Sequence, residues 1–368
     1  MRRRELCEKL AAYAIVAPRR TGGFAAPALR DIAAARNIRF GTEVTMADLD
    51  ADSNYGALIA HECDIVTPGI EAKWAYTEPH EGMFRFGPMD RLADFARRRG
   101  LRLHMHNLIW AVGLPKWTLA AIAEGREASV MARHIGALVS RYQDKVDSWD
   151  VINEPADPRW PSGPEGLCTT PWRQGLGPAF VRDALTDTSR SNPRAKLLIN
   201  DDDLEYEAPD RTRKRDTYIR LLSALKEQDV PLHGFGLEAH LKPWRTIADR
   251  EYRRFLRQLG DLGLQIYVTE LDVCDRTLPP DIASRDAAVA AMTKRYLDIV
   301  LDEPATTTIM TWGLSDRTTW MQRDPAGQRP DRLPPRPLPY DNYLNAKPMR
   351  AALVSALSHA RHRPPREG

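Results

Sequence analysis

A chain of 368 residues, 43% hydrophobic and 28% charged, can bury one large core and does not have the composition of a disordered or fibrous protein. Its formal net charge of +3, with Lys and Arg in scattered runs such as Arg97–Arg99, excludes a basic stripe for nucleic acid. No apolar stretch reaches the length that spans a bilayer. Neither a nucleic acid nor a membrane is therefore an expected partner.

The chain begins with Arg2, Arg3 and Arg4, followed by Glu8 and Lys9 and then the apolar run "LAAYAIVAP". That is the outline of an export signal, interrupted by charge, or equally an amphipathic first helix. A signal would imply a secreted or periplasmic protein. Strands are then predicted at "IRFGTEV" (38–44), "CDIVTPG" (63–69), "LRLHMHNLIW" (101–110) and "VDSWDVINE" (146–154). Four more follow at "AKLLINDD" (195–202), "LHGFGLEAH" (232–240), "LQIYVTELD" (264–272) and "TTIMTWGL" (307–314). Segments such as "MDRLADFARRRG" and "DTYIRLLSALKEQ" lie between them, with apolar residues three and four apart, as a helix facing a core requires. Gly100 follows the first of these as a helix terminator.

Eight strand-then-helix units predict a parallel sheet closed into a (β/α)8 TIM barrel, an α/β fold of one domain. A doubly wound open sheet would call for a G-x-G-x-x-G after the first strand, and none is there. The expected organisation is an extension over 1–30, the catalytic barrel over 31–358 and a tail over 359–368.

Several strands start apolar and end on reactive side chains: His106, Asn153 with Glu154, Asn200 with Asp201, Glu238 with His240, and Glu270 with Asp272. One such residue is as well explained by capping or by a buried pair. Five strands doing so together predict one pocket at the C-terminal mouth of the barrel, where this fold builds its sites. Glu154 and Glu270 end the fourth and seventh strands and face each other across the mouth. Two converging carboxyls in different environments suit glycoside hydrolysis, one kept protonated and the other ionised. Nine tryptophans add candidate stacking platforms for sugars.

The motifs "SWDVINEP" and "YVTELD" resemble the two signatures of glycoside hydrolase family 10, the retaining endo-β-1,4-xylanases. The likeness runs from about Phe40 to Met349, through "TPGIEAKW", "HNLIWAVGLPKW", "LLINDDDLE", "GFGLEAHL" and "TWGLSDRTTW" in the family's order. It implies Glu154 as general acid/base, Glu270 as nucleophile, and Asn153 as the residue holding the sugar 2-hydroxyl. His240 would keep the nucleophile ionised, with Asp272 and Asn200 supporting it. Lys73, His106 and Glu238 would line the sugar site, and Trp110, Trp312 and Trp320 would stack on sugar rings. Core packing is the competing role for these tryptophans, for Trp110 more than for Trp312 and Trp320. A polysaccharide or oligosaccharide substrate, no cofactor, no metal and a monomer are implied.

The chain departs from the family's pattern in one cluster. Gly69-Ile70 stand where Glu-Asn is usual, and Ala111-Val112-Gly113 where His-Ser-Gln is usual. The resemblance assigns that Glu-Asn pair and Gln to the sugar one place beyond the cleavage point, on the non-reducing side. Asp202-Asp203 replace an aromatic and an amide, and Glu238 replaces a Gln, which is expected to add negative charge. A rebuilt subsite implies altered specificity, for another or a decorated β-glycan or an aryl glycoside. A carbohydrate-binding barrel without chemistry is disfavoured because both carboxylates are present. A metal-dependent hydrolase would use His104 and His106, but no second cluster accompanies them. Cys7, Cys63, Cys168 and Cys274 show no metal-like spacing and leave one disulfide open.

Overall fold

The computed structural model describes residues 27–156, 160, 161, 163 and 166–364. The N-terminal extension up to residue 26 lies outside the described residues. All eight predicted strands form: β1 (Arg39–Val44), β2 (Ile65–Pro68), β3 (Arg102–Trp110), β4 (Ser148–Asn153), β5 (Lys196–Asp201), β6 (Gly234–Leu237), β7 (Gln265–Val273) and β8 (Thr306–Thr311). Each pairs in parallel with its sequence neighbours, and β1 pairs with β8. The β6–β7 ladder, from Gly234↔Gln265 to Leu237↔Val268, completes the ring. The sheet is thus a closed TIM barrel without a free edge.

The expected strand over 232–240 breaks at its end. β6 stops at Leu237, Ala239 takes φ 61°, and His240–Leu241 re-pair with Asp272–Val273 further along β7. The break leaves Glu238 outside the ladder and re-seats His240 beside Asp272 at the mouth.

The helices follow the apolar spacing. Helix Gly87–Arg98 begins with Pro88 in its first turn, buries Met89, Leu92, Ala93 and Ala96, and turns Arg97 and Arg98 outward before Gly100. Helix Asp249–Asp261 buries Tyr252, Phe255, Leu256 and Leu259 in the same pattern. Each fully buried Leu or Phe contributes about 1.5–3 kcal/mol, so these stripes hold the helical ring on the sheet. Among the described residues no helix is long and apolar enough to cross a membrane. Cys63 and Cys274 are buried and unpaired, and Cys7 falls outside the described residues.

A buried ionic cluster joins the two ends of the barrel chain. Glu62 is 1% exposed and accepts hydrogen bonds from the Leu29 backbone N–H (2.9 Å), Tyr340 Oη (2.7 Å) and Arg350 Nη2 (2.8 Å). Arg350 also donates to the Pro27 carbonyl. Removing one partner of such a cluster strands the others in a dry interior. Glu62→Ala is expected to destabilise the protein by about 3–5 kcal/mol in urea unfolding. A loss under about 1 kcal/mol would show that the cluster is solvated.

At the opposite end from the reactive residues, the N-terminal ends of the strands open on a hollow of about 1010 Å³ lined by Arg39, Arg102, Asp147 and Tyr267. Its charges largely compensate one another, Arg102 donating to Asp147 at 2.6 Å and Arg39 lying 3.9 Å from both Asp64 and Asp147.

Candidate active site

The C-terminal strand ends bring the predicted residues into one mouth. Glu154 follows β4 directly, at φ 50°, and its N–H donates to the Asn200 carbonyl at 2.9 Å. A non-glycine residue in the left-handed region costs about 1–3 kcal/mol and persists only where its surroundings hold it. Here Asp201 helps to hold the turn: its Oδ2 accepts from the Ala156 N–H at 3.3 Å and from the Tyr218 hydroxyl, while its Oδ1 accepts from Lys214 Nζ at 2.7 Å.

Asn200 is the hub. Its Nδ2 lies 2.8 Å from Asn153 Oδ1, 3.0 Å from Glu270 Oε1 and 3.2 Å from Glu238 Oε1, and Thr269 Oγ1 donates to its Oδ1 at 2.8 Å. The hub fits only because residue 236 is glycine: a Cβ there would sit 2.1 Å from Asn200 Oδ1. An amide NH2 has two hydrogens and here faces three acceptors, so one of the carboxyls is best served by carrying its own proton.

That carboxyl is Glu238. It is 3% exposed, and burial followed by the nearby charges of Glu270 and Glu154 pushes its pKa well up. Glu270 goes the other way. Burial alone would raise it, but His106, the hydrogen bond and charge of His240, and Lys73 together hold it below the usual carboxylate range. His240 Nε2 donates to Glu270 Oε2 at 3.2 Å while its Nδ1 donates to Asp272 Oδ1 at 2.9 Å. With both nitrogens donating it is an imidazolium. Burial opposes that charge, but Asp272 and Glu270 outweigh it and raise the His240 pKa well up. Trp320 Nε1 donates to Asp272 Oδ2 at 2.7 Å, so a chain of polar contacts runs from Trp320 through Asp272 and His240 to Glu270.

His106 lies 3.7 Å from Glu270 Oε1 and is held by Asp150 Oδ2 at 3.0 Å. The same oxygen takes His104 Nε2 at 2.9 Å, and His104 Nδ1 meets Ser148 Oγ at 2.7 Å. Burial would raise Asp150, but the two histidines bring it down to about 2. The H-x-H pair is thus bound to a buried carboxylate and to Ser148. Trp312 stands edge-on to His106 (5.2 Å) and to His240 (6.4 Å). Lys73 Nζ lies 4.9 Å from the Trp110 ring and 5.9 Å from Trp312. Trp110 is half-buried and faces this group, so it is not a core residue alone.

The charge expected from Asp202-Asp203 does not stand free in the cleft. Lys214 Nζ binds the Asp202 carboxyl at 3.0 Å, and Asp203 accepts from Arg211 (2.6 Å), Arg245 (3.1 Å) and Lys242. The extra acids are matched by helix Pro209–Glu227 and by residues 242–245. Two further residues were not singled out from the sequence. Asp150 lies inside "DVINEP", four places before Glu154, and its inward position on β4 was the available signal. Glu43, at the end of β1, is a carboxyl in an apolar run and belonged with the other strand-end residues.

The proton on Glu238 has a thermodynamic consequence. A carboxyl whose folded pKa is raised binds more protons folded than unfolded, so its contribution to stability falls as pH rises from the unfolded value towards the folded one. Glu238→Gln abolishes that loss. Its stability relative to the wild type is expected to increase as pH rises above the ordinary carboxylate range, by up to about 1.4 kcal/mol per unit. A pH-independent difference between the two unfolding curves would contradict a protonated Glu238.

Comparison with known proteins agrees with this geometry. The model of Glycosyl hydrolase family 10 matches residues 28–356. Endo-1,4-beta-xylanase B of Thermotoga neapolitana is 28% identical over 298 residues, covering 80% of this chain and 82% of that protein. The Beta-1,4-xylanase of Dictyoglomus thermophilum is 30% identical over 308 residues, with 80% and 82% covered. Native xylanase 10B from Thermotoga maritima superposes with a TM-score of 0.79 at 27% identity, covering 90% of this chain and 98% of that one. Xylanase 10B from Thermotoga petrophila, solved in complex with xylobiose, gives 0.79 at 27%, with 91% and 98% covered. With the closed barrel, the two strand-end glutamates and this family match over nearly its whole length, the chain belongs to glycosyl hydrolase family 10 and is a glycoside hydrolase.

Proposed function

We propose that the protein is a retaining endo-β-1,4-xylanase that cleaves within a β-1,4-linked xylan chain by double displacement. The observation that carries this is the clamp on Glu270, an ionised carboxylate held by Asn200 and the His240 imidazolium across the mouth from Glu154.

Glu270 attacks the anomeric carbon as Glu154 delivers its proton to the departing glycosidic oxygen. The C–O bond to the leaving sugar breaks and a glycosyl ester on Glu270 forms. Glu154, now a carboxylate, takes a proton from water. That water attacks the anomeric carbon from the face the leaving group left, freeing Glu270 and returning the proton to Glu154. Asn153, fixed through Asn200, is placed to bind the 2-hydroxyl, a contact that tightens as positive charge develops on the ring. His106, Lys73 and Glu238 line the same sugar. Trp110, Trp312 and Trp320 offer faces and edges to it. Asp272 acts through His240.

The relatives' names supply the substrate class: those proteins are xylanases, and one related structure holds xylobiose. A polymeric substrate too large to enter a cell and the Arg-rich, then apolar, start of the chain support a secreted or periplasmic monomer. The barrel proper is taken as residues 31–358. The test is to follow xylan hydrolysis by proton NMR. New reducing ends that appear first as the β-anomer are expected. An α-anomer first, or no hydrolysis, would defeat the proposal. Hydrolysis of other β-glycans or aryl glycosides but not of xylan would favour the altered-specificity alternative, which rests on Ile70 and Gly113 in place of polar residues.

A further inference from the structure

Gly69 does not leave an empty corner. A Cβ built on it would lie 1.8 Å from Glu43 Oε1 and 2.8 Å from Glu43 Cδ. The Glu43 carboxyl therefore occupies the volume in which a side chain at residue 69 would begin, and the glycine is what admits it. Glu43 points inward at the mouth end of β1, opposite Thr67 of β2, and its other oxygen lies 3.8 Å from where a Cβ on Gly313 would be.

Three carboxyls share this corner, and two are committed. Asp48 Oδ2 accepts from Thr45 Oγ1 at 2.6 Å, and Glu71 Oε1 accepts from the Met46 N–H at 2.6 Å. Glu43 is 7% exposed, and its carboxyl makes no hydrogen bond among the described residues. Its oxygens are not sealed from the mouth, so the carboxyl is open to a group that enters there. The side of the mouth it faces also carries Lys73 and Trp312, which belong to the sugar site.

We infer that Glu43 is a specificity-determining residue: its carboxyl donates a hydrogen bond to a hydroxyl of the sugar one place beyond the cleavage point on the non-reducing side, taking over from β1 the contact that Gly69 cannot make from the end of β2. This rests on the proposed glycosidase function and names a contact within it. The carboxyl is suited to donate. Burial, then the charges of Asp48 and Glu71, push it up to about 8 against the opposing Lys73 and Arg323, so near neutrality it carries its proton.

The test compares 4-nitrophenyl β-xyloside, which fills one sugar site before the bond, with 4-nitrophenyl β-xylobioside, which fills two. Glu43→Ala is expected to lose at least about tenfold more kcat/KM on the xylobioside than on the xyloside. Adding Gly69→Glu to that variant, which returns a carboxyl from β2, is expected to recover most of the difference, because the two atoms that would lie nearest the new Cβ both belong to the Glu43 carboxyl and are gone, and the next, Thr45 Cγ2, is at 3.1 Å. Equal losses on the two substrates would overturn the inference. Should Glu43→Ala not fold, Glu43→Gln decides the matter: the wild-type preference for the xylobioside falls as pH passes about 8, whereas in the amide variant it stays level. The same pH dependence in both would overturn the inference. A wild-type protein that turns over neither glycoside would defeat the proposed function and this inference together, whereas an active wild type with an unselective Glu43→Ala defeats this inference alone.

Discussion

Glu270→Gln is expected to lower kcat on xylan by about 10⁴-fold or more, because the amide cannot form the glycosyl ester and no other carboxylate of the mouth is free to replace it. Glu238, the nearest alternative, carries its own proton, since burial, and after it the charges of Glu270 and Glu154, disfavour its ionised form. The folded structure has reason to survive the change. The amide oxygen keeps one of the two bonds, from Asn200 Nδ2 or from His240 Nε2, while the other donor loses its acceptor, and the imidazolium keeps Asp272. Glu270→Ala opens a space beside the anomeric carbon, where a small anion such as azide is expected to restore turnover of an activated aryl glycoside. Its product would be an α-glycosyl azide, since the anion attacks from the side the carboxylate occupied. A Glu270→Gln protein that keeps a few per cent of wild-type turnover, or a β-azide from the alanine variant, would move the nucleophile elsewhere.

For Glu154 the expected effect depends on the leaving group. General acid catalysis contributes about 10²–10⁴-fold where the departing oxygen needs a proton. Glu154→Gln should therefore lose about that factor on xylan, whose leaving group is a sugar hydroxyl. With a 4-nitrophenyl leaving group, which departs without protonation, the first step should suffer far less. The second step still lacks its base, so a burst of nitrophenol followed by slow turnover is expected in pre-steady-state measurements. A uniform loss on both substrates, without a burst, would show that Glu154 does not donate the proton. The left-handed turn at Glu154 gives an independent check: Asp201→Asn weakens the bonds to Lys214 and Tyr218 without touching the catalytic carboxyls.

The residues of the candidate site were legible because a buried strand has no structural use for them. An apolar run that closes on Asn153 and Glu154, or on Glu270 and Asp272, places polar groups where only a pocket can satisfy them. The eight strands were legible for a similar reason, since burial on both faces demands continuous apolar runs, while the helices between them show spacing of three and four. The bounds differ by a residue or two, and the sixth strand differs most, because the turn at Ala239 is a backbone event with no compositional mark.

The consequences of the departures were not legible. Asp202 and Asp203 read as added charge until helix Pro209–Glu227 and residues 242–245 bring Lys214, Arg211, Lys242 and Arg245 against them. Gly69 read as a lost contact until Glu43, 26 positions earlier, turns out to fill its place. Periodicity and strand-end chemistry, which are local, determined the barrel, its mouth and the two glutamates. Which carboxyl keeps a proton, which charge is neutralised and which side chain reaches a given sugar depend on distances of a few ångströms between strands far apart in the chain. Those the closed barrel alone decided, because burial and neighbouring charge act through space and not along the sequence.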